Sequence, residues 1–122
     1  MKTTIPTEHA EQCAVIKWFD LQFPGLKGRL AAVPNGGERH VAVAAKLKAE
    51  GVRKGFPDMM LLKPMGGYFG LFLELKRVKG GRLSPEQEDW LIWLATQGFK
   101  TAVCKGADEA RETIKAYLGV RQ

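Results

Sequence analysis

Apolar residues near the start of the chain recur with the period of an α-helix. Thr7 before them is a suitable N-cap, and the Pro24-Gly25 pair after them is a suitable stop. The pattern predicts a first helix between these points, with its apolar stripe facing the core. The stripe consists of Ala14, Val15, Trp18, Phe19 and Phe23.

The middle of the chain changes to the two-residue alternation that is typical of β-strands. Residues 30–33 predict a short strand before a turn at residues 34–37, where an Asn-Gly step tolerates positive φ. Residues 58–62 and 68–78 predict two longer strands. Because only a short turn at residues 63–67 joins them, we expect an antiparallel hairpin.

The two faces of the second hairpin strand differ in chemistry, because neighbouring strand residues point to opposite sides. One face carries Phe69, Leu71, Leu73 and Leu75, and the other carries Gly70, Phe72, Glu74 and Lys76. Since apolar residues occur on both faces, we expect this strand to lie in a sheet that is covered on both sides.

Two further helices flank the hairpin in the sequence. Residues 38–50 are rich in Ala and Lys and predict a second helix, which Gly51 would end. A third helix is predicted to begin at Ser84. Ser84 and Gln87 have the spacing of a capping box, and Pro85 occupies the first helical position.

The third helix ends at Gly98 and precedes a strand at residues 99–104 and a closing helix at residues 108–118. A helical crossover permits this last strand to run parallel to an earlier one. The predicted fold class is α/β, with a central mixed β-sheet flanked by helices. The element order is helix, β-hairpin, crossover helix, strand, helix, and the length of 122 residues predicts one domain over residues 1–122.

Composition narrows the class of protein further. Hydrophobic residues make up 45% of the chain, which is enough for a modest core without disulfides or structural metals. The two cysteines, Cys13 and Cys104, are far apart and give neither a disulfide framework nor a zinc-binding spacing. Because no signal peptide and no membrane-spanning window is evident, we expect a cytoplasmic protein.

The excess of basic residues predicts a polyanionic partner. The formal net charge is +6 and the sequence pI is about 9.5, which favours attraction to nucleic-acid phosphates. A basic protein without such a partner is the plain alternative. The segment before the hairpin contributes Arg39, His40, Lys46, Lys48, Arg53 and Lys54, and the glycine-rich loop after it contributes Lys79 and Arg82.

Three charged residues fall within the most apolar part of the chain. Asp58 begins one strand of the hairpin, and Glu74 and Lys76 share a face of the other. Buried charges cost several kcal/mol unless they are paired or bind a metal. Two carboxylates with little histidine nearby suit Mg²⁺ or Mn²⁺ rather than zinc. A lysine beside such an ion can position a water or offset the charge of a phosphate.

A Glu-x-Lys step by itself is weak evidence for catalysis. Ordinary strand alternation with a cross-strand ion pair produces the same step. The apolar strands around Glu74 and Lys76, and the Pro57-Asp58 pair one strand and one turn before them, favour the catalytic interpretation.

Pro57-Asp58 followed by Glu74-Leu75-Lys76 resembles the PD-(D/E)xK nuclease signature. Further blocks in the same order resemble the small stand-alone VRR-NUC domains of phages and prophages, and the similarity covers residues 8–118. The blocks are residues 34–39, 48–58, 74–76 and 83–87. The resemblance implies a PD-(D/E)xK-like fold with a divalent metal at its centre.

This resemblance implies roles for the residues of the signature. Asp58 and Glu74 would bind the metal together with the backbone carbonyl of Leu75. Lys76 would be the catalytic lysine.

The resemblance also implies contributions from outside the signature. The family uses a glutamate on the first helix, for which Glu8 and Glu11 are both candidates, and the apolar stripe beside Glu11 favours Glu11. Gln87 matches a glutamine near the site of related nucleases, although its capping-box role explains it equally well. Asn35 and Arg39 match a family loop that would contact the substrate.

The implied function is a Mg²⁺- or Mn²⁺-dependent endodeoxyribonuclease that hydrolyses phosphodiester bonds. Stand-alone relatives resemble Holliday-junction resolvases, which implies a homodimer acting on branched DNA such as a four-way junction. The expected location is the cytoplasm of a bacterium or a phage-infected host cell. Two alternatives remain open: a non-catalytic DNA-binding or assembly subunit that keeps the fold, and a sequence-specific restriction-type nuclease.

Overall fold

The computed structural model of the chain describes residues 4–34 and 41–120. Its helices and strands lie where the sequence predicts them, which confirms the α/β class. They are α1 (Glu8–Gln22), a short 3-10 helix (Pro24–Leu26), β1 (Leu30–Ala32), α2 (Val41–Ala49), β2 (Met59–Leu61), β3 (Leu71–Lys76), α3 (Pro85–Thr96), β4 (Lys100–Lys105) and α4 (Gly106–Leu118). The predicted start of α2, at residue 38, lies outside the described residues.

The four strands form one mixed sheet in the order β1-β2-β3-β4. β2 pairs antiparallel with both β1 and β3, so the predicted hairpin is confirmed. β4 follows the crossover helix α3 and pairs parallel to β3. β3 is therefore an inner strand with a neighbour on each side.

One face of the sheet packs against α1 and α4. Leu71, Leu73 and Leu75 of β3 point to this face and are fully buried. They join Val15 and Phe19 of the predicted α1 stripe in a single core, against which Trp18 and Phe23 pack. Ala14, the remaining member of the predicted stripe, is exposed, so the prediction is wrong at that residue. The other members of this core are Leu30, Met59, Leu61, Cys104, Ala107, Ala110 and Ile114.

The opposite face of β3 is covered by aromatic side chains and by α3. The ring of Phe72 lies 5.7 Å from the ring of Phe56 and 5.2 Å from the ring of Phe99. Phe56 in turn lies 4.9 Å from Trp90 of α3. Because both faces are covered, every residue of β3 is buried, including its charged ones.

The alternation predicted for the second hairpin strand does not extend to Phe69. This residue precedes the first residue of β3, and its ring contacts Phe99 at 6.0 Å. Phe99 also contacts Phe72, so Phe69 lies on the α3 side of the sheet. The chain turns before the regular strand begins, and the two-residue period therefore fails there.

The predicted N-caps hold the first turns of α1 and α3. The hydroxyl of Thr7 accepts a hydrogen bond of 3.1 Å from the N–H of Ala10. The hydroxyl of Ser84 accepts one of 3.1 Å from the N–H of Gln87. Each bond satisfies a main-chain donor that the helix itself leaves without a partner.

α2 contributes no residue to the core. None of its residues is buried, and Val41 and Val43 are 83% and 46% exposed. Within the described part of the chain, no helix combines the length and the apolar character needed to cross a membrane.

Candidate active site

The carboxyl-terminal half of β3 brings the two predicted acids together. Met59 pairs with Leu73 in an antiparallel register, so Asp58 falls opposite Glu74. Asp58 Oδ2 accepts a hydrogen bond of 2.7 Å from the main-chain N–H of Leu75. This bond fixes the Asp58 carboxylate beside Glu74.

Gln87 in the first turn of α3 joins Glu74 to Lys76. Its Nε2 donates a hydrogen bond of 3.0 Å to Glu74 Oε1, and its Oε1 accepts one of 3.0 Å from Lys76 Nζ. The same Oε1 accepts a bond of 2.8 Å from the main-chain N–H of Ser84, which completes the predicted capping box. Gln87 therefore caps α3 and also contacts both charged residues of the signature.

Glu74 lacks a partner for one of its oxygens. The residue is 1% exposed, and Oε2 is buried without a hydrogen-bond partner among the described residues. Burial is the main cause that raises the pKa of Glu74 from 4.5 to about 9. Asp58 adds to the rise, through a hydrogen bond to the protonated acid and through its charge, while Lys76 acts in the opposite direction.

These oxygens fit a divalent cation. Two facing carboxylates repel unless a proton or a cation lies between them, and an unpartnered buried oxygen is free to bind one. The carbonyl of Leu75 points to the same side of β3 as its N–H, which faces Asp58, and so adds a third oxygen.

The candidate metal site has few protein ligands. Within residues 4–34 and 41–120, no three His, Cys, Asp or Glu side chains form a group able to hold a metal. Two carboxylates and one carbonyl, completed by water, suit Mg²⁺, which usually keeps several waters when it binds a protein.

The structure distinguishes the two glutamates of the first helix. Glu11 accepts a hydrogen bond from the N–H of Ala107 at the start of α4, where its charge suits the helix dipole. Glu8 lines a cavity of about 690 Å³ together with Asp58, and its charge raises the pKa of Glu74.

These positions favour Glu8 over Glu11 as the helix-one glutamate near Asp58. The apolar stripe of α1 packs against α4 as well as β3, so the residue at its edge meets α4 instead of the acidic pair. Glu8 is therefore the helix-one candidate.

Four of the predicted DNA-contacting residues are exposed in the described part of the chain. They are Arg53, Lys54, Lys79 and Arg82. Lys54 lies 3.6 Å from Glu86, the residue before Gln87. The loop of residues 79–82 folds against β3 so closely that a Cβ on Gly81 would lie 2.9 Å from the Cβ of Lys76. Asn35, Arg39 and His40 lie outside the described residues.

Lys105 is a further basic residue at the site that sequence analysis missed. Lys105 pairs in register with Lys76, and Cys104 pairs with Leu75. Because Cys104 is buried in the α1–α4 core, Lys105 leaves the sheet on the opposite face, which is the face of Lys76, and it is exposed there. The parallel register that places it could not be read from the sequence.

Gln12 is a second residue near the site that the sequence analysis does not identify. It lines the same cavity as Glu8 and Asp58. The signal that could have found it is its spacing of one helical turn from Glu8, which places both residues on one face of α1.

Comparison with known proteins agrees with this geometry. A family model described as the VRR-NUC domain matches residues 6–108. The chain belongs to the VRR-NUC domain family. Among solved structures, a chain named "VRR_NUC domain protein" is similar to it with a TM-score of 0.82 and 30% identity, covering 98% of this chain and 93% of that one. Among curated proteins none matches the chain.

Membership of the VRR-NUC family identifies a nuclease-type domain. The similarity to the solved VRR-NUC structure also confirms the predicted fold class, because it extends over nearly the whole chain.

Glu74 should make the metal-free VRR-NUC protein less stable as the pH rises. The folded protein keeps a proton on Glu74 that the unfolded chain releases between the ordinary pKa of 4.5 and the raised pKa of about 9. The free energy of unfolding therefore falls as the pH rises through this window. We expect Glu74→Gln to remove this slope and to raise the free energy of unfolding at about pH 8 by about 1–3 kcal/mol.

Urea unfolding in the presence of EDTA, at pH values near the two ends of this window, measures the effect. Glu88→Gln, which changes an exposed glutamate on the same helical turn as Gln87, should leave the slope unchanged. A Glu74→Gln variant that kept the wild-type slope would show that another group carries the proton.

Proposed function

We propose that the protein is a Mg²⁺- or Mn²⁺-dependent endodeoxyribonuclease that hydrolyses phosphodiester bonds. The observation that carries this proposal is the buried carboxyl of Glu74, whose Oε2 has no hydrogen-bond partner among the described residues although Asp58 lies beside it. The nuclease-type domain and the net charge of +6 support the same function.

Asp58, Glu74 and the Leu75 carbonyl would hold the cation. When bound there, a divalent ion supplies Lewis-acid polarisation of the phosphodiester and lowers the pKa of a water. The protein contributes by keeping the oxygens in place: the Leu75 N–H orients Asp58, and Gln87 orients Glu74. Burial of β3 excludes bulk water, which strengthens these interactions.

Lys76 is the candidate catalytic lysine. It is 8% exposed, and Gln87 holds its Nζ at 3.0 Å. Its ammonium group therefore has a defined position on the same strand face as Glu74. From there it can offset the charge that develops on the phosphate and orient the attacking water. Glu8, across the adjoining cavity, can bind water between α1 and Asp58.

Exposed basic residues supply affinity for the DNA backbone, since each phosphate contact releases counterions. Lys105 extends this surface beside Lys76. The remaining candidates are Arg53, Lys54, Lys79 and Arg82, together with Asn35, Arg39 and His40 from the undescribed segment.

We further propose a homodimer that acts on branched DNA such as a four-way junction, where two sites can cut opposing strands. This proposal rests on the resemblance of the chain to stand-alone VRR-NUC domains, which themselves resemble Holliday-junction resolvases. Light scattering should give twice the 13.5 kDa mass of one chain. A monomeric mass at assay concentrations would contradict the dimer.

Cleavage of a DNA panel tests the proposed activity. We expect a four-way junction to be nicked faster than a flap, fork, single strand or plain duplex, in Mg²⁺ or Mn²⁺ and not in EDTA. Asp58→Asn, Glu74→Gln and Lys76→Ala should each slow cleavage by about 100-fold or more, because each removes a cation ligand or the fixed positive charge. Glu88→Gln should cut at the wild-type rate.

The outcomes separate the alternatives. Folded Asp58→Asn and Glu74→Gln variants that cut at the wild-type rate would contradict the proposal. DNA binding without cleavage in either metal would indicate a non-catalytic subunit. Cleavage that follows a sequence motif instead of a branch point would indicate a restriction-type nuclease.

Lys105→Ala should weaken DNA binding by about threefold to tenfold and lower the salt slope by about one, because one phosphate contact is lost. Lys100→Ala is the matched control, since Lys100 lies at the other end of the same strand and is also exposed. Fluorescence anisotropy at several salt concentrations measures both variants. Equal losses in the two would show that Lys105 adds only general positive charge.

A further inference from the structure

The Gln87 side-chain amide has one orientation that satisfies all its neighbours. Its oxygen faces two donors, Lys76 Nζ and the N–H of Ser84, while its nitrogen faces the acceptor Glu74 Oε1. A flipped amide would place an NH₂ group against both donors and an oxygen against the carboxylate. The main-chain N–H of Ser84, which does not belong to the acidic pair, therefore helps to fix this orientation.

Ser84 is held in place by the other half of the same capping box. Its hydroxyl accepts from the N–H of Gln87 at 3.1 Å, while the Gln87 oxygen returns to the N–H of Ser84 at 2.8 Å. In an ordinary capping box this oxygen serves the helix end alone. Here the Gln87 oxygen also accepts a hydrogen bond from Lys76. Loss of the Ser84 hydroxyl would therefore loosen Gln87, which contacts both Lys76 and Glu74.

Gly55 supports the same turn of α3 from the other side. It is buried with a φ of +86°, and a Cβ added there would lie 2.5 Å from the main-chain carbon of Glu86 and 2.7 Å from the nitrogen of Gln87. Both contacts are with main-chain atoms, which cannot move aside as a flexible side chain can. Any side chain at Gly55 would therefore displace the first turn of α3, which carries Gln87.

We propose that Ser84 and Gly55 are positioning residues that act through Gln87 to hold Lys76 and Glu74 in their working geometry. This inference rests on the proposed function and adds two residues to it. Outer residues that orient metal ligands commonly change metal affinity or activity by about tenfold or more when they are altered. The separation of Lys76 from Glu74 depends on the amide between them. A loosened Gln87 would let the ammonium pair directly with the carboxylate that the cation needs.

The first experiment compares Ser84→Ala with Ser84→Thr, since threonine retains the hydroxyl that caps the helix. We expect Ser84→Ala to lower both Mn²⁺ affinity in calorimetry and the single-turnover cleavage rate by about tenfold. DNA affinity should be unchanged, and Ser84→Thr should restore both losses. Wild-type Mn²⁺ affinity and cleavage rate in Ser84→Ala, with its melting temperature lowered by the lost cap, would overturn the inference.

The second experiment compares Gly55→Ala with Gly119→Ala. Both glycines have positive φ, but a Cβ at Gly119 would meet open space. Gly55→Ala should therefore lose Mn²⁺ affinity and cleavage as Ser84→Ala does, while Gly119→Ala keeps both despite similar backbone strain. Equal behaviour of the two variants would overturn the role of Gly55. If Gly55→Ala fails to fold, the Ser84 pair alone decides.

A metal-free readout keeps this inference separate from the proposed function. The side-chain amide of Gln87 should give a dispersed, slowly exchanging pair of signals in ¹⁵N–¹H spectra of the wild type and Ser84→Thr. In Ser84→Ala, the two signals should move towards the chemical shifts of a glutamine side chain in an unfolded chain. An unchanged pair in Ser84→Ala would overturn the positioning role even in an active enzyme. A wild-type chain that neither bound Mn²⁺ nor cut DNA would overturn the proposed function and the catalytic part of this inference together.

Discussion

The site depends on the burial of one carboxyl group, that of Glu74, beside a second acid. A sheet covered on both faces leaves no water for Oε2, and the described residues offer it no donor. The group must then hold a proton or face a cation, because two adjacent carboxylates cannot both stay ionised in a dry site without compensation. Burial and the neighbouring Asp58 carboxylate therefore raise the pKa of Glu74.

Other parts of the structure bury the two carboxyl groups and fix their positions. The leucines of β3 and the helices α1 and α4 close one face, and the aromatic contacts of Phe72 close the other. The antiparallel register sets Asp58 opposite Glu74, and the Leu75 N–H fixes its carboxylate. Gln87 then satisfies the first oxygen of Glu74, while the second oxygen has no partner among the described residues. The core and the candidate site therefore come from the same strand.

Much of this was accessible from the sequence, because the signals are local. Helical periodicity, strand alternation and the capping box gave the elements and placed Glu74 and Lys76 on one face. What the sequence does not show is long-range packing. The apolar stripe beside Glu11 favours Glu11 over Glu8, but the N–H of Ala107 that Glu11 binds is 96 residues away and depends on how α1 and α4 pack. Lys105 likewise reaches the site through a parallel register that the crossover helix sets.

Calorimetric titration of Mn²⁺ into the metal-free protein, run near neutral pH in two buffers of different ionisation heat, shows whether the acidic pair exchanges a proton for a cation. We expect binding whose heat depends on the buffer, because the cation displaces the proton that Glu74 holds when its pKa is raised. Glu74→Gln should bind Mn²⁺ weakly and release no proton. Absence of binding, or binding that releases no proton and survives both Asp58→Asn and Glu74→Gln, would contradict a cation site at Asp58 and Glu74.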